Sequence, residues 1–191
     1  MKYILTNILL FIASGLFADS WLPPKPFAYV SPNSNVIVRV EPGVLDSDRK
    51  NISTAQIRYF KYDKGSQTYR FWKEHKLVNS MLPLSIVTPD DGSFLVTFDD
   101  YMAFGTGENT VVLYDSSGKV VKRWSLEDIF SESAISELPH STMSILWRGE
   151  VGVMRTKQNE VYILPFDSKK KLRGFILDVE TLEIREDTRW K

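Results

Sequence analysis

Between residues 84 and 126 the chain alternates apolar and polar positions in four runs, each closed by a turn signal. Ser85 and Val87 lead to Asp91-Gly92, Phe94, Val96 and Phe98 alternate with their neighbours, and Val111 and Leu113 lead through Asp115-Ser-Ser-Gly118 into Val120 and Trp124. A period of two broken by Asp-Gly and Ser-Gly turns predicts consecutive antiparallel strands, a β-meander. Both flanks carry looser copies. Upstream, Phe27 to Ser31, then Val36, Val38 and Val40, then Ile57 to Tyr62 and Thr68 to Trp72 read as strands, with turns at Pro32-Asn33-Ser34-Asn35 and Asp63-Lys-Gly65-Ser. The polar stretch between Val44 and Thr54, LDSDRKNIST, has no period and predicts an exposed loop.

Laid together, the segments share a grammar. Asp63, Asp115 and Asp178 each follow an alternating run (IRYFKY, VVLY, GFIL) and precede a turn and a further strand. VSPNSNVIVRV, VTPDDGSFLVTF and MRTKQNEVYILPF supply the preceding strand, turn and strand in each case. The spacings between the aspartates, 52 and 63 residues, are unequal, so the units carry insertions. Each aspartate is expected to open an Asx turn on backbone amides. The expected fold is all-β: three four-stranded antiparallel meander units, at about residues 27–73, 84–126 and 145–187, within one domain spanning 19–191. A closed propeller takes roughly four to eight blades. Either the sheets form an open propeller-like or sandwich arrangement, which is the expectation, or a fourth unit lies in the proline-rich arm from Asp19 to Lys25, with Trp21, and the C-terminal tail. One or two short helices are expected at 126–138, from the Ser125-to-Asp128 capping spacing, the apolar face of LEDIFSESAISEL and the stop at Pro139.

Charge narrows the function classes. Lysine and arginine number 24 and so do aspartate and glutamate, with no basic stripe; this argues against a nucleic-acid or anionic-membrane partner. Lys169-Lys170-Lys171 reads as a solvated hairpin tip. Residues 1–18 combine basic Lys2, an apolar stretch from Ile8 to Phe17 and small Ala18, the pattern of a secretory signal cleaved before Asp19. The apolar run falls short of the roughly 20 residues a membrane span needs, so a periplasmic or secreted protein with no membrane span after cleavage is expected. The absence of cysteine removes disulfides, thiolate metal sites and thiol nucleophiles.

Two stretches carry candidate chemistry. The connection from Asp99 to Thr110, DDYMAFGTGENT, is the longest loop in the central unit. Asp99, Asp100, Tyr101, Glu108 and Asn109 are its candidate binding residues. It has too few oxygens for calcium and neither the lysine nor the glycine spacing of a phosphate cradle, so no metal or cofactor is expected. The second stretch, Leu138 to Trp147, holds His140 beside Ser141, a candidate base and nucleophile without a nucleophile-elbow motif. Its competing reading has both residues satisfying helix-end carbonyls and a turn. His75, beside Lys76, reads as a surface residue. Trp72, Trp124, Trp147 and Trp190, with Tyr59, Tyr69 and Tyr101, are candidates for stacking on sugars or peptides, or for packing between units.

Residues 84 to 150 resemble a group of small exported bacterial proteins of unknown function with blade-type repeats. The resemblance rests on Asp91-Gly92, Gly105 and Gly107, Tyr114-Asp115, Gly118, Leu126-Glu127-Asp128, and Pro139, Ser141, Ser144 with Trp147. Asp100-Tyr101-Met102 departs from the Asn-Trp-His expected there. The resemblance implies a propeller-like fold pattern and export, and no activity. The function expected from all of this is a non-enzymatic exported binding or scaffold module with a protein or glycan partner. The alternative is a periplasmic hydrolase using His140, Ser141 and a loop carboxylate.

Overall fold

The computed structural model describes residues 22–46, 48, 51–154, 157, 159–166 and 174–187; the expected leader, Trp21, the lysine run at 169–171 and Trp190 lie outside the described residues. Three four-stranded antiparallel sheets follow one another along the chain. The first comprises β1 (Phe27–Val30), β2 (Val36–Glu41), β5 (Gln56–Asp63) and β6 (Thr68–Lys76). The second is a plain meander of β7 (Pro83–Val87), β8 (Phe94–Asp100), β9 (Val111–Asp115) and β10 (Val120–Trp124). The third comprises β11 (Val151–Val153), β12 (Glu160–Ile163), β13 (Phe175–Asp178) and β14 (Glu183–Glu186). The all-β, open arrangement of four-stranded sheets is the one expected.

The second sheet is the middle layer, and alternation explains how it serves two cores. Val87, Phe94, Val96, Phe98, Val111 and Leu113 point to the third sheet, where they meet Val153, Val161, Ile163, Phe175 and Leu177. Ile86, Leu95, Val112 and Tyr114 point the other way, onto Val36, Val38, Val40, Ile57 and Tyr59 of the first sheet. Six of the seven residues of β8 are therefore buried in succession, as befits a strand covered on both faces. The stack does not close into a ring.

Turn chemistry follows the sequence reading. Asp63, Asp115 and Asp178 each accept a backbone N–H from two residues on, at 2.9, 2.8 and 3.0 Å, and Asp91 does the same for Ser93. Gly92 (φ 64°) and Gly118 (φ 86°) hold the left-handed conformation their hairpins require. Helix α1 (Glu132–Glu137) is a single short helix capped by Ser131. Residues 126–130 form a turn in which Ser125 and Asp128 keep the capping-box contact, the Ser125 N–H donating to the Asp128 carboxylate at 2.8 Å. Leu126 and Leu138 anchor this insertion in the core with Ile129, Phe130 and Ile135 against it.

Two strand readings need correction. The stretch expected as an exposed loop before Thr54 contains a two-stranded ribbon, β3 (Val44–Leu45) with β4 (Asn51–Ser53). Backbone pairing holds it, with the Val44 N–H donating to the Ser53 hydroxyl at 3.2 Å; Ile52 and Val44 stay exposed, so no alternation announced it. Strand β6 runs on to Lys76 and carries a bulge opposite Tyr59 and Phe60. The extra residue lets both Trp72 and Lys73 face the second sheet, where Lys73 Nζ donates to the carbonyls of Gly92 and Ser116.

Candidate functional site

Asp99 sits at φ 55°, a left-handed conformation that aspartate tolerates better than most residues. By alternation its side chain would share the face of Leu95 and Thr97, towards the first sheet. The turn sends it to the other side, among Trp147 and Arg148. There it is fully buried and accepts three hydrogen bonds. Oδ1 receives the Gly105 N–H at 2.8 Å and Trp147 Nε1–H at 2.9 Å; Oδ2 receives Arg148 Nε–H at 2.7 Å, with Nη2 of the same guanidinium 2.6 Å away in the ion pair. Burial pushes the Asp99 carboxyl above its ordinary range, and the Arg148 guanidinium and the N–H donors oppose that push. Arg148 is itself buried, its guanidinium 5.1 Å from the ring centres of Phe98 and Phe104. This is an internal clamp that ties the loop to the segment before β11, reinforced by the Ile145 N–H donating to the Phe104 carbonyl at 2.9 Å.

The remaining loop residues are engaged as well. Asp100, sent to the opposite side by the same turn, accepts from the side-chain amides of Asn79, which is fully buried, and Asn109, the latter at 3.0 Å. The Tyr101 hydroxyl donates to the Leu22 carbonyl and so pins the N-terminal arm. Glu108 is 78% exposed, paired at 3.2 Å with Arg123. The five candidate binding residues therefore split: Asp99 is interior, Asp100, Tyr101 and Asn109 brace the loop, and Glu108 faces water. Among the described residues, no three of His, Cys, Asp or Glu converge as metal ligands.

The structure brings the second candidate stretch against this loop, but not as a catalytic set. His140 Nε2 lies 3.1 Å from the Ile135 carbonyl at the end of α1. The Ser141 N–H donates to the Ser144 carbonyl at 2.8 Å, closing a turn. Trp147 and Trp124 are core residues. These are the contacts of a helix end and a turn.

Two features escaped the sequence reading. His75, expected at the surface, lies across from Ile57 and packs between Tyr59 and Tyr114 at 5.4 and 6.2 Å between ring centres. Burial, with Lys73 adding to it against the opposing charge of Asp115, pushes its pKa down to about 4. The bulge in β6 is the reason: it set the phase of the strand end, and no polar–apolar signal marks it.

The second feature is the outer face of the first sheet. Register pairs place Val30, Ile37, Phe60 and Phe71 in one row across all four strands, with Tyr62 opposite Tyr69 beside it. Phe71 is 58% exposed and Val30 47%, with Tyr62 and Tyr69 each at 37%. With aromatic side chains offering some 150–250 Å² each, the row presents on the order of 300 Å² of apolar surface. Phe60 and Phe71 meet edge to face at 6.1 Å, as do Tyr62 and Tyr69 at 5.3 Å. Two ion pairs, Arg39 with Glu41 and Arg58 with Glu74, border the row on the same face.

Fold and site together define a class: an open stack of four-stranded, blade-like antiparallel sheets with one terminal face left bare. No known family model matches the chain, and no curated protein matches it. Among solved structures, a protein from Lactobacillus plantarum superposes with a TM-score of 0.41 at 11% sequence identity, over 85% of this chain and 40% of that one. The chain thus spans about two fifths of the length of that protein, and so loose a superposition carries no argument about function. Among the described residues, no helix is long and apolar enough to cross a membrane.

Proposed function

We propose that this chain is an exported, non-enzymatic binding module that recognises its partner through the outer face of the first sheet. The observation that carries the reading is the bare row of Val30, Phe71, Tyr62 and Tyr69 on a four-stranded sheet whose opposite face packs on the second sheet. Burying a phenylalanine is worth about 1.5–3 kcal/mol, so leaving one mostly in water forgoes stability that a partner would restore. Contiguous apolar patches rimmed by polar residues mark interaction surfaces once they reach a few hundred Å², the size of this row. The hydrolase alternative draws no comparable support. His140 faces a helix-end carbonyl instead of Ser141, and the Asp99 carboxylate already holds three hydrogen-bond donors and an ion pair.

The test is capture from periplasmic extract by the immobilised mature chain and two variants. Phe71→Glu is expected to lose capture while Glu108→Ala, in the exposed part of the Asp99 to Thr110 loop, retains it. The reverse result would move recognition to the loop. Export is checked on the same material: the purified protein is expected to begin at Asp19, and a mature form that retains Met1 would refute it.

A further inference from the structure

We infer that the occupant of this bare face is a second copy of the same face, so that two chains pair the first sheet of one against the first sheet of the other about a two-fold axis. The inference rests on the reading of this face as the recognition surface and names its partner. Three observations lead to it.

The stack has two terminal faces, and among the described residues only that of the first sheet bares large apolar side chains. On the third sheet the outward positions of β12 and β13 include Glu160 and Ile176, each 4% exposed, and Arg185 of β14 reaches over to Glu160 at 2.8 Å. Among the described residues, none of the exposed large apolar side chains lies in β11 to β14. A head-to-tail contact needs two different complementary faces, whereas an isologous contact needs one face that meets itself. Only the second is available here.

The charge pattern permits that meeting. Arg39, Glu41, Arg58 and Glu74 form two neutral pairs on the rim, and Lys76, opposite Gln56 at the end of β6, adds one cation to the same face, so a second copy brings only a single net positive charge. Packing one sheet face on another within about 30° is also how two antiparallel sheets ordinarily form a sandwich. The rings, in contrast, suit a sugar poorly. They stand edge to face and offer no flat platform, and the Tyr69 hydroxyl is already donated to the Ser34 carbonyl.

The size of the face fixes the strength. Four strands spaced about 4.8 Å apart, with six residues rising about 3.3 Å each, span a patch of roughly 20 by 20 Å. Two such faces fall short of the roughly 1,200 Å² at which stable interfaces begin, which predicts a weak, concentration-dependent dimer.

Sedimentation of the mature chain over roughly 1 to 500 μM brackets such an interface. The weight-average mass is expected to rise toward twice that of one chain. Phe71→Glu and Phe60→Ser, folded with unchanged circular dichroism, are expected to remain monomeric, while Met102→Glu, on the far loop, associates like the wild type. Mixing labelled Phe71→Glu with excess wild type separates the two symmetries. An isologous contact is expected to give no mixed dimer, because both copies must contribute the row; a mixed dimer would refute the two-fold pairing. A wild type monomeric throughout would overturn the inference. If Phe71→Glu then still loses capture from extract, the face remains a recognition surface for another protein, and if capture is unchanged, both readings fail.

Discussion

Replacing Arg148 by methionine tests the clamp on which the central loop depends. The change keeps much of the side-chain volume against Phe98 and Phe104 but removes the charge-assisted bond and the ion pair from Asp99 Oδ2. The carboxylate would then remain with Gly105 and Trp147 as donors to Oδ1 and no cation in a fully buried site. Breaking a buried pair in this one-sided way costs about 3–5 kcal/mol, because an uncompensated charge stays behind. Against a total stability of about 5–15 kcal/mol this is a large fraction. With a urea slope of about 2 kcal/mol/M, the unfolding midpoint is expected to fall by about 1.5–2.5 M. Tryptophan fluorescence is a suitable probe, since Trp147 is itself a donor in the cluster. Two internal checks follow. Adding Asp99→Asn to Arg148→Met is expected to recover more than about 1 kcal/mol, since an uncharged group is cheaper to bury. The deficit of Arg148→Met is also expected to shrink as the solution is acidified. Burial raises the Asp99 pKa, and without Arg148 the folded state binds that proton more tightly than the unfolded chain, so the penalty is present above the raised pKa and relieved below it. A loss under about 1 kcal/mol at neutral pH would show that Asp99 reaches water or another cation, and the clamp would be refuted.

The remaining expectations concern the packing of β6 on the second sheet. His75 has a folded pKa of about 4 against 6.5 unfolded, so its contribution is fully present above pH 6.5 and is lost as pH falls from there toward 4. For a half-buried ring the screened effect is on the order of 1–2 kcal/mol. Urea midpoints at neutral pH and at mildly acid pH are expected to converge in His75→Gln and to diverge in the wild type; equal acid sensitivity in both would refute the assignment. Gly118→Ala is expected to lose more than about 1 kcal/mol, from the positive φ and from a methyl that would sit 2.3 Å from the His75 ring. An unchanged denaturation midpoint would mean that the hairpin is placed wrongly.

Local chemistry made much of this molecule legible. Alternation with a period of two, cut by Asp-Gly and Asn-rich turns, is a property of neighbouring residues, and it marked the strands of all three sheets. The Asx turns at Asp63, Asp115 and Asp178 and the glycines at 92 and 118 are equally local, because each satisfies a bond or a dihedral within a few residues. The Asp99 clamp is different. A single left-handed residue inverts which side Asp99 and Asp100 face, and the partner Arg148 lies 49 residues on in a segment without regular structure. No spacing rule connects them. His75 was misread for a related reason, since one bulged residue in β6 shifted the phase of everything after it.

The exposed row shows the division most clearly. Phe60 and Tyr62 alternate along β5 as Phe94, Val96 and Phe98 do along β8, and nothing in either strand says which face will be covered. Stacking order decides it. The second sheet lies between two others and its strands β8 and β9 are buried on both faces, while the first lies at the end, so the same alternation that builds a core in β8 leaves Phe71 and its neighbours facing water.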